Sequence, residues 1–197
     1  MSLDSNTGVA HPGDVDRTAE FKNRGARYKL IEPAGELFHA ELHVAELGGL
    51  EGFVKLFTVC RVRPELCKVK GAVDLLLEDL NRVSKLSVWS INQVMDIWWG
   101  DAGITFSTEH IKGTTLAEAM ATVVARGDRL PYTSVLATML EVAQALEHAH
   151  EPLYASNPVV HGDLRPQHVH ISKDAGVKLG GFGFARFLPL VSPNGSW

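Results

Sequence analysis

Apolar and polar positions alternate in short runs through the first half of the chain and fall into longer helical periods through the second. Arg27-Tyr-Lys-Leu-Ile-Glu32, Glu41-Leu-His-Val-Ala45 and Gly52-Phe-Val-Lys-Leu-Phe57 each read as a strand bounded by Gly or Pro. Between Val73 and Val83 the period changes. Val73, Leu76, Leu77, Leu80 and Val83 share one helical face, so a helix follows the third strand. Val94-Met-Asp-Ile-Trp98 and Ile104-Thr-Phe-Ser107 flank Gly100-Asp-Ala-Gly103 and predict a hairpin. Thr115-Leu-Ala-Glu118 has the spacing of a capping box and opens a second helix. A longer helix is predicted from Tyr132 to His150, after Pro131, with Leu136, Met139, Leu140, Ala143 and Leu146 on its buried face. Two short strands, Val169-His-Ile and Val177-Lys-Leu, then surround the turn Lys173-Asp-Ala-Gly176. Residues 1–26 carry little apolar content and no period, and are expected to form a flexible tail.

Composition narrows the function classes. The chain has 197 residues, 45% hydrophobic and 21% charged, which suits one ordinary globular domain. A net charge of −4 with scattered Lys and Arg offers no basic field for nucleic acid. Cys60 and Cys67 are too few for a disulfide framework and lack metal-ligand company, so both are expected to be ordinary thiols. No apolar run approaches a membrane span and the N-terminus has no signal-peptide core, which points to a cytoplasmic protein with no membrane partner. Asn194-Gly-Ser196 matches a glycosylation sequon, a chance match in such a compartment.

The chemically informative words lie in the second half. His161-Gly-Asp-Leu-Arg-Pro-Gln-His168 is followed by Gly181-Phe-Gly183, and Leu146-Glu-His-Ala-His150 precedes Val160-His-Gly-Asp163. From Arg27 to Arg186 the chain resembles the protein kinase superfamily, with local words most similar to bacterial Ser/Thr protein kinases. The resemblance implies an α+β fold: a five-stranded antiparallel N-lobe with one helix over residues 27–110, and a partial, mainly helical C-lobe over residues 111–197. That C-lobe would hold the catalytic loop and lack the A-P-E motif and later helices, leaving outward apolar residues of the long helix for a protein partner or a second copy of the chain to cover.

The family's catalytic loop has the form H-R-D-L-K-P-x-N and its metal carboxylate stands in D-F-G. By this resemblance Asp163 is the base that accepts the substrate hydroxyl proton, and Arg165 replaces the Lys beside the transferring phosphate. Lys55 is the strand lysine that holds the phosphates, and Asp79, one residue beyond Glu78, is its acidic partner. Nucleotide contact is assigned to Gly35, Phe53, Lys55, Thr108 and Glu109. The departures are as telling. Only Gly35 remains of the glycine loop, with Leu37 and Ala40 at the other glycine positions, and Phe53 takes the place of the small residue that packs on adenine. Gly162 replaces the Arg that reads a phosphorylated activation segment.

The metal positions decide the expectation. Gly181 has no ligand atom, and His168 offers imidazole where Mg²⁺ takes oxygen. Metal bridging contributes several kcal/mol to phosphoryl transfer, so its loss costs roughly a thousandfold in rate. His168 and His170 could recruit Zn²⁺ only with a third ligand, and none is evident. The expectation is a catalytically impaired, pseudokinase-like domain that acts as a signalling scaffold or regulator and has no cofactor. The alternative is a weak Ser/Thr kinase using ATP and Mg²⁺ through Lys55, Asp79 and Asp163. A third class, small-molecule phosphotransfer, rests on His-Gly-Asp alone, the form found in enzymes resembling aminoglycoside kinases.

Overall fold

The computed structural model describes residues 27–48, 55–100, 103–151, 158–174, 176–192 and 194. Phe53, the tail over residues 1–26 and half of the Gly52–Phe57 segment lie outside the described residues. Five antiparallel strands make the first sheet, in the order β1-β2-β3-β5-β4: β1 Tyr28–Leu37, β2 Ala40–Leu47, β3 Leu56–Val62, β4 Val94–Gly100 and β5 Gly103–Glu109. Helix α1, Ala72–Val83, packs behind it with Leu76, Leu80 and Val83 fully buried, the face that the apolar period marks out. The N-lobe expectation of five antiparallel strands and one helix is what the chain forms.

β3 sits further along the chain than the sequence pattern suggests. Phe57 and Val59 join Tyr28, Ala45 and Trp98 in an aromatic cluster on one face of the sheet, while Cys60 and Val62 join the main core on the other. A strand covered on both faces reads as a continuous apolar run, so its centre is not visible from alternation. Lys55 therefore precedes the strand instead of lying within it. Tyr28 locks the aromatic face: its ring stacks on Trp98 at 5.1 Å, and its hydroxyl donates to Asp96 at 2.5 Å and accepts from Ser107 at 2.9 Å.

The second sheet has the order β6-β7-β8, from β6 Gly113–Thr115, β7 Val169–Ser172 and β8 Val177–Leu179. Helix α2, Leu116–Ala125, starts in the capping box that the sequence spells: Thr115 Oγ1 accepts from the Glu118 amide at 3.2 Å and Glu118 accepts from the Thr115 amide at 2.8 Å. Helix α3 spans Tyr132–His150, the range its pattern predicts, yet it buries a different stripe. Val142, Ala145 and Ala149 face the core, where two alanines let the helix lie close to β8, and Glu141 accepts from the Val177 amide at 2.8 Å. Leu136, Met139 and Leu140 are exposed, at 50%, 42% and 61%, and Ala143 is exposed too; Leu146 alone of the expected face packs against the core.

A parallel bridge between Ile91 and Leu179 joins the two sheets, with the Leu179 amide donating to Ser90 at 2.8 Å and the Asn92 amide donating to Leu179 at 2.9 Å. The segment after β8 then turns into the body of the molecule. Phe182, Phe184, Phe187 and Leu188 are at most 3% exposed, and the short helix α4, Phe187–Val191, rests against α1. Among the described residues no helix is long and apolar enough to cross a membrane.

Candidate functional site: a cleft between the two sheets

A cavity of about 390 Å³ opens between the sheets, walled by Leu42, Thr58, Cys60, Val94, Phe106 and Phe182 among others. Cys60 occupies the middle of the β3 wall, opposite Leu42 on β2 and Phe106 on β5. Burial pushes its thiol far above the ordinary range, so it is an uncharged wall residue. Among the described residues no Lys or Arg lines the cavity, whereas Glu36 and Glu118 do. Lys55 is exposed ahead of β3 with its Nζ 5.4 Å from the Phe57 ring, on the aromatic face of the sheet. It is not among the residues that line the cavity.

Asp79 also has a different partner from the one expected. It is buried on α1, as its place beside the apolar stripe requires, but its carboxylate is held by Arg186, with Nε at 2.9 Å and Nη2 at 2.6 Å from Oδ1. Arg186 also reaches Glu78 at 2.9 Å. This charge-assisted fork ties α1 to the segment that follows Gly181-Phe-Gly183. The sequence holds no local signal for it, since the partners are more than a hundred positions apart.

The His-Gly-Asp turn is built around a satisfied histidine. His161 donates from Nε2 to the Gly180 carbonyl at 2.8 Å and accepts the Asp163 amide at Nδ1 across 3.2 Å. Both ring nitrogens are used by the neutral form, and burial lowers its pKa to about 4. Gly162, at φ +73°, is crowded by a different part of the chain: a Cβ there would stand 2.5 Å from Ala185 Cα. The Arg usual at this position cannot fit. Asp163 is buried and its Oδ1 accepts from both Nε and Nη2 of Arg165, the former at 2.7 Å. The expected base and the expected phosphate contact thus neutralise one another, and neither lines the cavity.

His168 ends a short 3-10 turn, Pro166–His168, and donates from Nδ1 to the Asp163 carbonyl at 2.8 Å. Its ring lies over Gly181, φ +78°, where a Cβ would be 2.5 Å from Nδ1. The ring therefore occupies the space an aspartate side chain at Gly181 would need. The residues present do not fit Mg²⁺: Gly181 supplies no oxygen, the ring nitrogen nearest to it is engaged, and among the described residues no cluster of three His, Cys, Asp or Glu could hold a metal ion. His170 lies on β7 with its Nε2 3.1 Å from where a Gly180 Cβ would be, and is likewise buried enough for its pKa to fall to about 4.

The turn between β1 and β2 closes on the same segment. Gly35, at φ +138°, lines the cavity, but the tip carries Phe38 and His39 instead of glycines. His39 is buried and its ring lies tilted against Phe184, with the ring centroids 4.1 Å apart. Backbone amides above bound phosphates require an open loop, and here a ring pair fills that end of the cleft. Of the remaining assigned contacts, Thr108 lines the cavity and accepts from Asn92 Nδ2 at 3.4 Å, while the Glu109 carboxylate is taken by Lys178 at 2.7 Å.

A two-lobed α+β body with a cleft at the joint, a His-Gly-Asp turn and a Gly-Phe-Gly segment defines the protein-kinase-like fold, and this chain has it. No protein-family model matches the chain. It is 25% identical over 162 residues to the tyrosine-protein kinase MasK of Myxococcus xanthus, and 25% identical over 162 residues to a probable serine/threonine-protein kinase of Clostridium perfringens. The match takes in 81% and 82% of this chain but only 25% and 22% of those proteins, so the chain spans about a quarter of the length of these curated relatives. Among solved structures, the Mycobacterium tuberculosis PknI kinase domain superposes with a TM-score of 0.69 at 21% identity, covering 82% of this chain and 60% of that one.

Two predictions come from this geometry. Gly181→Asp, which restores the family carboxylate, should destabilise the protein by about 2–3 kcal/mol through the left-handed backbone and the collision with His168. Combined with His168→Asn, the loss should be smaller than the sum of the two single losses by on the order of 1 kcal/mol; additive urea midpoints would contradict the packing described. The second concerns pH. His39, His161 and His170 have pKa values lowered to about 4 by burial, so the folded state holds fewer protons than the unfolded state between pH 4 and the ordinary histidine value near 6.5. Stability should be full above pH 6.5 and fall as pH drops toward 4, by on the order of 3 kcal/mol for each such histidine, as read from chemical denaturation across that range.

Proposed function

We propose that the chain is a pseudokinase-like domain that does not transfer phosphate and serves as a scaffold or regulatory partner in signalling. The single observation that carries this reading is the charge of the cleft. Phosphoryl transfer is catalysed almost wholly by positioning and by cations on the phosphates. This cavity is lined by two carboxylates and by no Lys or Arg among the described residues. The engagement of Asp79 by Arg186 and of Asp163 by Arg165 supports the same reading, because it removes the acidic groups from the work the family gives them. The kinase names of the curated relatives favour the alternative, a weak ATP-dependent Ser/Thr kinase, and that is the reading to test against.

The exposed apolar stripe of α3 suits a contact role. Tyr132, Leu136, Met139 and Leu140 form a ridge on one side of the helix, with Met120 and Val124 of α2 exposed as well. We propose that another polypeptide covers it, a second copy of the chain or a different protein.

Calorimetric titration with ATP and Mg²⁺ should show no saturable binding, and purified protein should label no substrate from radioactive ATP. Labelling that disappears in Asp163→Ala would overturn the pseudokinase reading. For the contact face, Leu136→Glu with Leu140→Glu should leave the thermal midpoint within about 2 °C, since exposed positions contribute little to stability. The same double variant should abolish self-association in sedimentation. A parent chain that sediments as a monomer at high concentration would remove the second-copy option.

A further inference from the structure

The first half of helix α3 carries apolar residues that the described chain does not cover. Over residues 132–140 nothing is buried, and the core-facing Val142, Ala145 and Ala149 all come later in the helix. Tyr132, Leu136, Met139, Leu140 and Ala143 are exposed, and at 3.6 residues per turn they fall on one side, with Glu147 one turn beyond Ala143 on the same line. A helical segment of this length has little stability in water unless something packs on it, so the ridge needs a surface to meet.

The charges around the ridge say what that surface is. Residues 130–140 carry no charged side chain. Arg126 and Arg129, with Asp128 between them, precede this stretch, whereas Glu147 and Glu151 follow it; His148 and His150 lie in the last turn. Arg129 and Glu147 are both exposed. Two copies of the helix laid parallel would set Arg129 against Arg129 and Glu147 against Glu147. Laid antiparallel about a two-fold axis near Thr138, they bring Leu136 onto Met139 and Leu140 of the other copy, bulky Tyr132 onto small Ala143, and Arg129 onto Glu147 at both ends. The start of α3 adds an independent observation. Pro131 gives it no side-chain cap and its first turn holds no acidic residue, so the partial positive charge of that end is unanswered within the chain. In the antiparallel arrangement Glu147 of the other copy arrives there.

We propose that α3 is a homodimer contact, in which two copies of the chain pair antiparallel along residues 132–147 with Arg129 of each copy on Glu147 of the other. The proposal rests on the reading of this ridge as a contact face and names its occupant and orientation. One pair of helices makes an interface at the small end of the range, below about 1,200 Å² in total, so the dimer is weak and reversible.

The test is sedimentation velocity of the whole chain over a range of concentrations. Arg129→Glu and Glu147→Arg should each weaken self-association by about tenfold, because each sets like charges together at both ends of the pair. An equimolar mixture of the two variants should associate to within about threefold of the parent, since opposite charges then meet again at each end. Both positions are exposed, so the variants should keep the parent circular dichroism spectrum. If either does not fold, the parent chain still decides the matter: attraction at both ends makes the dimer loosen as salt rises, and pairing that tightens or ignores salt contradicts it. A parent chain that stays monomeric at high concentration, a mixture no tighter than the single variants, or a dimer unchanged by either charge reversal would each overturn the proposal. Leu136→Glu with Leu140→Glu separates the two readings. If it dissociates a dimer that ignores the charge reversals, the contact face stands without this pairing; if the dimer survives it, the contact face falls as well.

Discussion

The constraint on which the rest depends is the inward turn of the chain after β8. Phe182, Phe184 and Phe187 bury their rings where the two sheets meet, and a fully buried Phe contributes about 1.5–3 kcal/mol relative to an exposed one. To bring three of them inside within six positions, the chain must pass close to its neighbours. Gly183, at φ +100°, would set a Cβ 2.8 Å from Leu80, and Gly162 and Gly181 show the same crowding against Ala185 and His168. The substitutions that separate this sequence from the kinase motifs are thus parts of one packing solution. A side chain restored at Gly162 or Gly181, where the kinase motifs carry one, meets a group already in place.

Arg186 completes that solution electrostatically. Its guanidinium lies where the buried Asp79 carboxylate needs a cation, and the two-point contact fixes the orientation of α1 from its far side. A buried acidic residue on that helix needs a cation, and the segment after Gly183 supplies it.

Local signals were legible in the sequence where one face or one cap decides the structure. The α1 stripe, the Thr115–Glu118 box and the extent of α3 follow from residues within a few positions of each other. What the sequence hid depended on distant partners or on faces that compete. β3 is apolar on both sides, so its register, and with it the fate of Lys55, is set by two clusters that alternation cannot separate. In α3 the larger residues Leu136, Met139 and Leu140 suggest the buried side, yet close approach to β8 selects the stripe with Ala145 and Ala149. At the cleft, Asp163, Arg165 and His168 could be named as a group from their spacing, but their mutual engagement could not, because it depends on where the Gly180–Arg186 segment lies.

His168 stands electrostatically within reach of His39, His161 and His170, and a positive charge on it lowers the proton affinity of each. Burial keeps those three rings neutral near pH 7, so protonation of the region between the sheets comes with its opening to water.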